Sequence, residues 1–447
     1  MNAPESIVLD YTLADLYSAD DEDHDICMVY AYAPPPNTQL APHIPTLTHF
    51  PVQSPLCPAM DKHELAQTLF HVTAQRFGFC SGPMRILVLE PDSQHGHGTP
   101  GPSSQTDIGR VFSQLQREQR PIPTYARDLT KPPLGTRVQL AVTAPLDWFD
   151  HLPHVVDPKT HYNLLSKRGL AESGLPTPKT VVIDTVLSPH ESLTTAEIQQ
   201  EVTRMTDPIR EHPLPFILKV PLVTSIGQGT FMVQTEADRL TAYATFVKEV
   251  KSMLLALSPA NESLRPCNLI LQEMMSVVDR MYCWSGGFIS YHKQRALGHH
   301  YCKTMEMVAR FLHRHGYFGP AGVDVMTNEK GNQLVVDLNV RMTGTYHLGP
   351  LRGHFTRCGF SEAAALATHR LKCTRAGFES HFANELRRGC VLVTAWVHAH
   401  EASLATITVA EEGLASLQAL IQRVVGFAEL TWAKDDRGST RKGASKL

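Results

Sequence analysis

Three polar side chains alternate along the segment QLVVDLNVR at residues 333–341, namely Asp337, Asn339 and Arg341. In a β-strand alternate residues point to the same face, so this spacing predicts one polar face. The residues between them, beginning with Val336, are apolar and predict an opposite face directed into a core. Three polar groups so close together are unusual in a core strand and indicate a site that performs chemistry.

A further carboxylate, Asp324, lies in the preceding apolar segment GVDVM, and TNEKGN between the two predicts a hairpin with Gly331 in its turn. This turn places Asp324 opposite Asp337. Two like charges so placed destabilise a sheet unless a cation lies between them, and oxygen ligands without sulfur or imidazole suit Mg²⁺. We therefore predict that Asp324, Asp337 and Asn339 hold a metal ion. The alternative is the solvent-exposed polar face of an edge hairpin.

Lys219 ends the apolar segment FILKV, where an unpaired ammonium group would be costly. It is followed by a glycine-containing loop, SIGQGT, which includes Ser225, Gly227, Gly229 and Thr230. Glycines permit close backbone approach, and successive N–H groups can bind phosphate, although turns also use glycine for conformational reasons alone. The chain has no G-x-x-x-x-G-K-[ST] motif. The order of strand, lysine, glycine loop and strand predicts a nucleotide site that is not a P-loop.

The elements that position these residues are predicted from hydrophobic periodicity and from the glycines and prolines. Helices are predicted over residues 65–77, 107–117, 162–172, 236–257, 305–315, 361–371 and 412–424. Strands are predicted over residues 85–90, 138–142, 180–184, 215–220, 231–234, 268–275, 322–326, 333–341 and 391–397. The fold class is α/β, and the alternation of strand, loop, helix and strand in the first 155 residues predicts a small parallel sheet.

Composition excludes several function classes. The 447 residues allow about three domains or subdomains. Lys plus Arg number 41 against 44 Asp plus Glu, so the net charge of −3 gives no electrostatic reason to expect nucleic-acid binding. No apolar run is long enough for a membrane span, and no secretory signal is expected at the N-terminus. The nine cysteines include no C-x-x-C pair, which argues against a disulfide scaffold and a cysteine zinc site.

The order of these features resembles the ATP-grasp superfamily of carboxylate–amine ligases over about residues 157–341. The matching features are the helix before GLPTP, Lys219 with SIGQGT, the segment ILQEMMSVVD, and a D…(E/D)-x-N-x-R pattern that ends at Arg341. The chain as a whole is similar to fungal ATP-grasp proteins of secondary metabolism and to L-amino-acid ligases.

The resemblance implies a pre-ATP-grasp-like α/β domain at 1–155, an ATP-grasp domain at 156–432 and a flexible tail at 433–447. Within the ATP-grasp domain it implies a nucleotide lid at about 215–280 and a metal-binding part at about 281–432. The implied cofactors are ATP and Mg²⁺, with Mn²⁺ as an alternative metal. The implied reaction joins a carboxylate, from an amino acid or a small acid, to an amine through an acyl phosphate and releases ADP and phosphate.

The resemblance also implies a role for each matching residue. Lys219 would contact adenine and the α-phosphate, and the loop that ends at Thr230 would cover the β- and γ-phosphates. A second phosphate lysine would be Lys159 or Lys167. Arg341 would stabilise phosphate or the tetrahedral oxyanion. The remaining nucleotide contacts would be made by an adenine-binding hinge and an acid on the ribose hydroxyls: Gln272, Glu273, Met274, Met275 and Asp279.

The sequence leaves two alternative functions open and also contains a candidate signal for cellular location. The same fold could serve a kinase that releases a stable phosphorylated product, or a module that binds nucleotide without turnover. Arg352 and His354 are candidates for binding a substrate carboxylate. The C-terminal Ser445-Lys446-Leu447 is a peroxisomal address and predicts a peroxisomal import receptor as a partner, with a cytoplasmic location as the alternative.

Overall fold

The computed structural model describes residues 6–18, 25–31, 48–51, 63–89, 103–126, 131–135, 137–189, 193–221, 229–275, 286–398 and 402–433. The structure mixes helices and strands, and the α/β fold class is confirmed. Within these ranges no helix is both long enough and apolar enough to cross a membrane. The C-terminal tripeptide lies outside the described residues.

The N-terminal part contains a four-stranded parallel sheet, as the sequence predicted. Its strands are β1 (Asp25–Val29), β2 (Arg85–Leu89), β3 (Ile122–Ala126) and β4 (Val138–Val142), in the order β3-β2-β1-β4. The helices of this part are α1 (Leu13–Ser18), α2 (His63–Gly78) and α3 (Ser103–Ser113). The sequence predicted β2 and β4 but missed β1, which follows an acidic run, and β3, which contains a proline.

The segment before the second sheet was predicted as one helix over 162–172 but is two, α4 (Pro158–Leu165) and α5 (Lys167–Ala171). Ser166 separates them: its Oγ accepts a hydrogen bond from the Gly169 N–H at 2.8 Å, so Ser166 caps α5. A Cβ at position 169 would lie 2.0 Å from the carbonyl oxygen of Asn163, and glycine alone allows this close turn. The break sets the position of Lys167 at the start of α5.

An antiparallel sheet follows, with β5 (Thr180–Asp184), β6 (Phe216–Lys219), β7 (Thr230–Val233) and β8 (Asn268–Glu273) in the order β5-β8-β6-β7. One face packs on α6 (Thr195–Glu211) and α7 (Glu236–Leu255) through fully buried side chains such as Phe216, Leu218, Leu271 and Phe246. Because side chains alternate, Lys219 and Gln272 lie on the other face. The sequence missed α6, whose polar surface obscured a capping box formed by Thr194 and Glu197.

The C-terminal part contains a second antiparallel sheet. Its strands are β9 (Gly286–Ser290), β12 (Glu362–Leu366), β13 (His369–Leu371), β14 (Val391–His398) and β15 (Ser403–Glu411). Its helices are α8 (Gln294–Arg314), α9 (Arg352–Arg357), α10 (Arg375–His381), α11 (Ala383–Arg388) and α12 (Leu414–Ala433).

The helix predicted over 361–371 is wrong, because this segment forms β12 and β13. Its alanines favour a helix locally, but Ala363, Ala364 and Ala365 are buried between β9 and β15, and sheet pairing overrides their propensity. Helix α8 starts at Gln294, earlier than the predicted 305, because its first half is exposed and lacks apolar periodicity.

The predicted hairpin follows α8 in the chain and is formed by β10 (Gly322–Thr327) and β11 (Gln333–Asn339). Gly331 occupies its turn with φ of +78°, a left-handed conformation that favours glycine. The pairing register shifts between Asp324 and Val325, which leaves Val336 as the extra residue of a β-bulge. The hairpin is the element that carries the candidate site.

Candidate active site

The two hairpin carboxylates lie directly opposite each other. Asp324 pairs with Asp337 in the register of β10 and β11, as the sequence predicted. The bulge corrects one detail: Val335, rather than Val336, is buried on the core side together with Leu338. The inserted residue changes the side-chain alternation, so β11 can bury Val335 and Leu338 and still direct Asp337 to the polar face.

Two lysines from other parts of the chain meet this hairpin. Lys167, at the start of α5, forms an ion pair with the Asp337 carboxylate. Lys219, at the end of β6, is buried and donates to the carbonyl oxygen of Val336 at 2.9 Å. The backbone N–H of Lys167 also donates to the carbonyl of Pro221 at 2.8 Å, which ties α5 to the end of β6. The structure therefore brings two cations and two carboxylates into one cluster.

The cluster shifts the proton affinity of its members in different directions. Burial lowers the pKa of Lys219 to about 8, against the opposing effect of Asp337. Partial desolvation and the neighbouring Asp337 charge raise the pKa of Asp324. Burial acts to raise the pKa of Asp337, but the charges of Lys167 and Lys219 outweigh it and hold that pKa below its usual range. The charges of Lys167, Lys219 and Arg341 thus compensate Asp324 only in part, and strongly shifted pKa values of this kind are typical of functional sites.

Asn339 and Arg341 continue the polar face of β11. The Asn339 amide lies 3.5 Å from the Asp337 carboxylate, and Arg341 donates to the Asn339 side-chain oxygen at 3.2 Å. Behind them the buried ring of His161 forms a 2.7 Å hydrogen bond with the carbonyl of Val340. The three polar residues predicted to share one face therefore do so, and a histidine supports the strand beneath them.

These residues fit a divalent cation that also binds phosphate. In the described residues no three His, Cys, Asp or Glu side chains cluster, so a metal site built from protein ligands alone is not present there. Mg²⁺ usually takes one or two carboxylates and completes its shell with water and substrate phosphates. Asp324 and Asp337, whose mutual repulsion a cation would relieve, fit this description, with Asn339 as a third oxygen ligand.

The predicted adenine hinge lies on β8, on the same sheet as Lys219. Gln272 is buried, and its amide donates to the Thr180 hydroxyl at 3.1 Å. Glu273 is exposed, whereas Met274 and Met275 are half-buried just beyond the strand. These four residues stay predicted nucleotide contacts.

The glycine loop is described only at its end. Gly229 is buried with φ of +108°, and Thr230 begins β7 opposite Lys219. The other predicted loop and ribose contacts, Ser225, Gly227 and Asp279, lie outside the described residues.

The structure separates the two candidates for the second phosphate lysine. Lys167 is in the cluster, whereas Lys159 is exposed on the first turn of α4 and has no hydrogen bond or ion pair to the cluster among the described residues. Arg352 is exposed on α9, and His354 is buried in the same helix with its ring against Gly389. The His354 side chain is therefore packed inside the protein next to Gly389.

Sequence reasoning missed two functional contributions. The first is the Val336 carbonyl, a backbone atom for which side-chain patterns give no signal. The second is His161, which has a weak signal: a polar residue on the apolar side of the helix before GLPTP.

Comparisons with known proteins come from solved structures. No family model and no curated protein matches the sequence. N5-carboxyaminoimidazole synthetase from Staphylococcus aureus complexed with ADP is 9% identical, with a TM-score of 0.42 over 91% of this chain and 97% of that one. The Aspergillus clavatus synthase in complex with ADP and 5-aminoimidazole ribonucleotide is 12% identical, with a TM-score of 0.39 over 91% and 99%. Biotin carboxylase from Campylobacter jejuni is 8% identical, with a TM-score of 0.41 over 89% and 90%.

All three structures are of ATP-grasp carboxylate–amine ligases and carboxylases, the superfamily that the motifs of this chain resemble. At such identities and TM-scores the likeness carries no argument about activity. The residues of the site are therefore the basis for the function proposed below.

Proposed function

We propose that the chain is an ATP- and Mg²⁺-dependent ligase of the ATP-grasp type, which joins a carboxylate to an amine and releases ADP and phosphate. The observation that supports this most is the meeting of Asp324, Asp337, Lys167 and Lys219, which come from three separate parts of the sequence. Two carboxylates and two lysines suit a metal–triphosphate complex, in which negative phosphate oxygens need cations on both sides.

In this proposal the first step is attack of a substrate carboxylate oxygen on the γ-phosphorus of ATP. The bond between the γ-phosphorus and its bridging oxygen breaks, so that an acyl phosphate and ADP form. Lys167 and Lys219 hold the phosphate oxygens, and Arg341 stabilises the charge that develops where the acyl group reacts. Bound Mg²⁺, held by Asp324, Asp337 and Asn339, would neutralise charge on the transferred phosphoryl group.

In the second step an amine nitrogen attacks the acyl carbon. The tetrahedral intermediate expels phosphate, the nitrogen loses a proton, and an amide remains. The protein contributes position and charge, and the described cluster requires no covalent enzyme intermediate.

The test is product analysis with the full-length chain, ATP, Mg²⁺ and pooled carboxylic acids and amines. We expect ADP, phosphate and an amide detected by mass spectrometry, and none of them with Asp337→Asn. Glu329→Gln, an exposed carboxylate in the turn of the same hairpin, is the matched control and should leave product formation unchanged. AMP with pyrophosphate would overturn the mechanism.

Two other results would favour the alternative functions. A stable phosphorylated product without an amide would indicate a kinase on the same fold. Nucleotide binding without turnover for any acid would indicate a binding module.

A further inference from the structure

A buried arginine from the N-terminal part of the chain contacts the residues that follow β11. Arg76 lies in the last turn of α2 and is 9% exposed. Its guanidinium donates to the carbonyl oxygen of Gly344 at 2.7 Å, although the two residues are 268 positions apart. Nearer to the metal cluster, Arg341 donates to the carbonyl of Met342 at 3.4 Å. Two arginines therefore bind main-chain oxygens of residues 342–346, which we call the post-hairpin segment.

The post-hairpin segment is fitted closely against two strands. The Thr343 methyl lies against Gly322 at the start of β10, and the Thr345 methyl lies against Gly287 on β9. A Cβ at either glycine would collide with the threonine methyl, so each glycine makes room for the segment. Gly322 is paired with Asn339, one of the predicted metal ligands. The two strands thus hold the segment next to the predicted metal site.

The hydrogen bond from Arg76 sets the direction of one peptide unit. In a trans peptide the carbonyl and the following N–H point in opposite directions, and the bond between Gly344 and Thr345 is trans. Because the Gly344 carbonyl points towards α2, the Thr345 N–H points away from that helix. Thr345 is half-buried, and within the described ranges its N–H donates no hydrogen bond. This N–H is therefore a fixed donor that is available to a bound molecule.

We infer that Arg76 is a positioning residue for the proposed reaction, and that it orients the Gly344–Thr345 peptide unit for contact with the carboxylate substrate. A guanidinium bound to a carbonyl makes a charge-assisted hydrogen bond, which holds the carbonyl in one direction. An N–H donor suits a carboxylate oxygen and does not suit an ammonium group. Arg76 acts through Gly344, so it is not a catalytic residue. The inference rests on the proposed function for the identity of the substrate.

The test measures ADP release by the full-length chain with Mg²⁺ and the pooled acids and amines of the product assay, while either the acid pool or ATP is varied. Arg76→Met should lower kcat/KM for the acid pool about tenfold or more, the effect of one charge-assisted hydrogen bond. It should change KM for ATP less than about twofold, because the predicted adenine contacts lie on β8, in another sheet. Arg76→Lys, which retains a cationic donor, should recover part of the loss.

Arg375 supplies a matched control. It lies on α10, is 6% exposed and donates to the carbonyl of Asp107 on α3 at 3.3 Å, so it also joins the C-terminal and N-terminal parts through a main-chain oxygen. Its other partner is Glu379, and among the described residues it has no hydrogen bond or ion pair to the hairpin or the post-hairpin segment. Arg375→Met should lower Tm as Arg76→Met does, but it should change kcat/KM for the acid pool less than about twofold.

Equal effects of Arg76→Met and Arg375→Met on kcat/KM for the acid pool would show that Arg76 has a structural role alone. An equal effect of Arg76→Met on the acid pool and on ATP would also overturn the inference. Both results would retain the ligase, because the unaltered protein would still release ADP. If Arg76→Met does not fold, Arg76→Lys is compared with Arg375→Lys in the same way.

Failure of the proposed function would be seen separately, as no ADP release by the unaltered protein with any acid. The rise in Tm that the acid pool causes would then decide the inference. A rise that is lost in Arg76→Met and kept in Arg375→Met would support it. The same rise in both variants, or no rise in any of the three proteins, would reject it.

Discussion

Neutralising Asp324 and neutralising Asp337 should change the stability of the protein in opposite directions, and both substitutions should lower turnover. Asp324 carries a charge that the fold disfavours, since partial desolvation of its carboxylate and the neighbouring Asp337 charge raise its pKa. Asp337 carries a charge that the fold favours, since Lys167 and Lys219 lower its pKa. Without divalent cations, Asp324→Asn should therefore stabilise the protein, and Asp337→Asn should destabilise it. Both should lower turnover at least about 100-fold, because each removes a metal ligand.

The size of the stability change follows from the pairing geometry. Directly opposed side chains lie about 5 Å apart, so their repulsion is about 1 kcal/mol in water and about 3 kcal/mol at an effective dielectric constant of about 20. Because Asp324 is exposed, solvent screening favours the smaller value, which corresponds to a rise in Tm of about 2 °C. Asp337→Asn removes the favourable interaction with the two lysines and also relieves the same repulsion from Asp324. We expect its free energy of unfolding to fall by a net amount of about 1 to 2 kcal/mol.

The assay is thermal unfolding in EDTA together with ADP release in Mg²⁺, with Glu329→Gln as the control. If Asp324→Asn destabilised the protein in EDTA, or either variant kept full turnover, the pair would be structural and the metal site refuted.

Three further predictions concern single residues. Lys167→Met should lower kcat/KM for ATP about 10- to 100-fold, because it removes a charge-assisted hydrogen bond to phosphate. Lys159→Met, at an exposed position, should change kcat/KM less than about twofold. Equal effects of the two substitutions would contradict the choice of Lys167 as the phosphate lysine. Gly169→Ala should destabilise the protein by about 1 to 3 kcal/mol in urea unfolding, because its Cβ meets the Asn163 carbonyl, whereas Gly298→Ala in α8 has open space and should be neutral or stabilising. Burial lowers the pKa of His71 to about 4 from an ordinary value of about 6.5, so the stability that its neutral form contributes is complete above about pH 6.5 and is lost as pH falls towards 4. Between pH 7.5 and 5.5 the free energy of unfolding should therefore fall by about 1.4 kcal/mol less in His71→Leu than in the unaltered protein. Equal pH dependence of the two proteins would show that His71 is not buried in its neutral form.

The hairpin was predictable from the sequence because its signals are local. Alternation along residues 333–341 and the turn glycine together fix which residues face each other, and Asp324 lies opposite Asp337 as expected. The bulge was not predictable, because side-chain periodicity does not show where a backbone gains an extra residue. The Val336 carbonyl, and with it the partner of Lys219, was missed for the same reason.

Residues that meet only through tertiary packing were harder to assign. The sequence alone does not distinguish Lys159 from Lys167, and the helix break at Ser166 determines which of them reaches Asp337. The signals for that break, a capping serine and Gly169, are present in the sequence, but its apolar spacing predicts one continuous helix. The segment 361–371 shows the opposite case: its sequence favours a helix locally, but pairing with β15 decides the structure.

The Val336 bulge also bears on how this site could vary among descendants of the same gene. Lys219 binds a main-chain oxygen at position 336, so codon changes at that position need only preserve a strand-compatible side chain. An in-frame deletion of one codon there would instead remove the bulge and with it the main-chain oxygen that Lys219 binds, although regular alternation would still place Val335 in the core and Asp337 on the polar face. Relatives should therefore keep the spacing between positions 335 and 338 more strictly than the identity of residue 336.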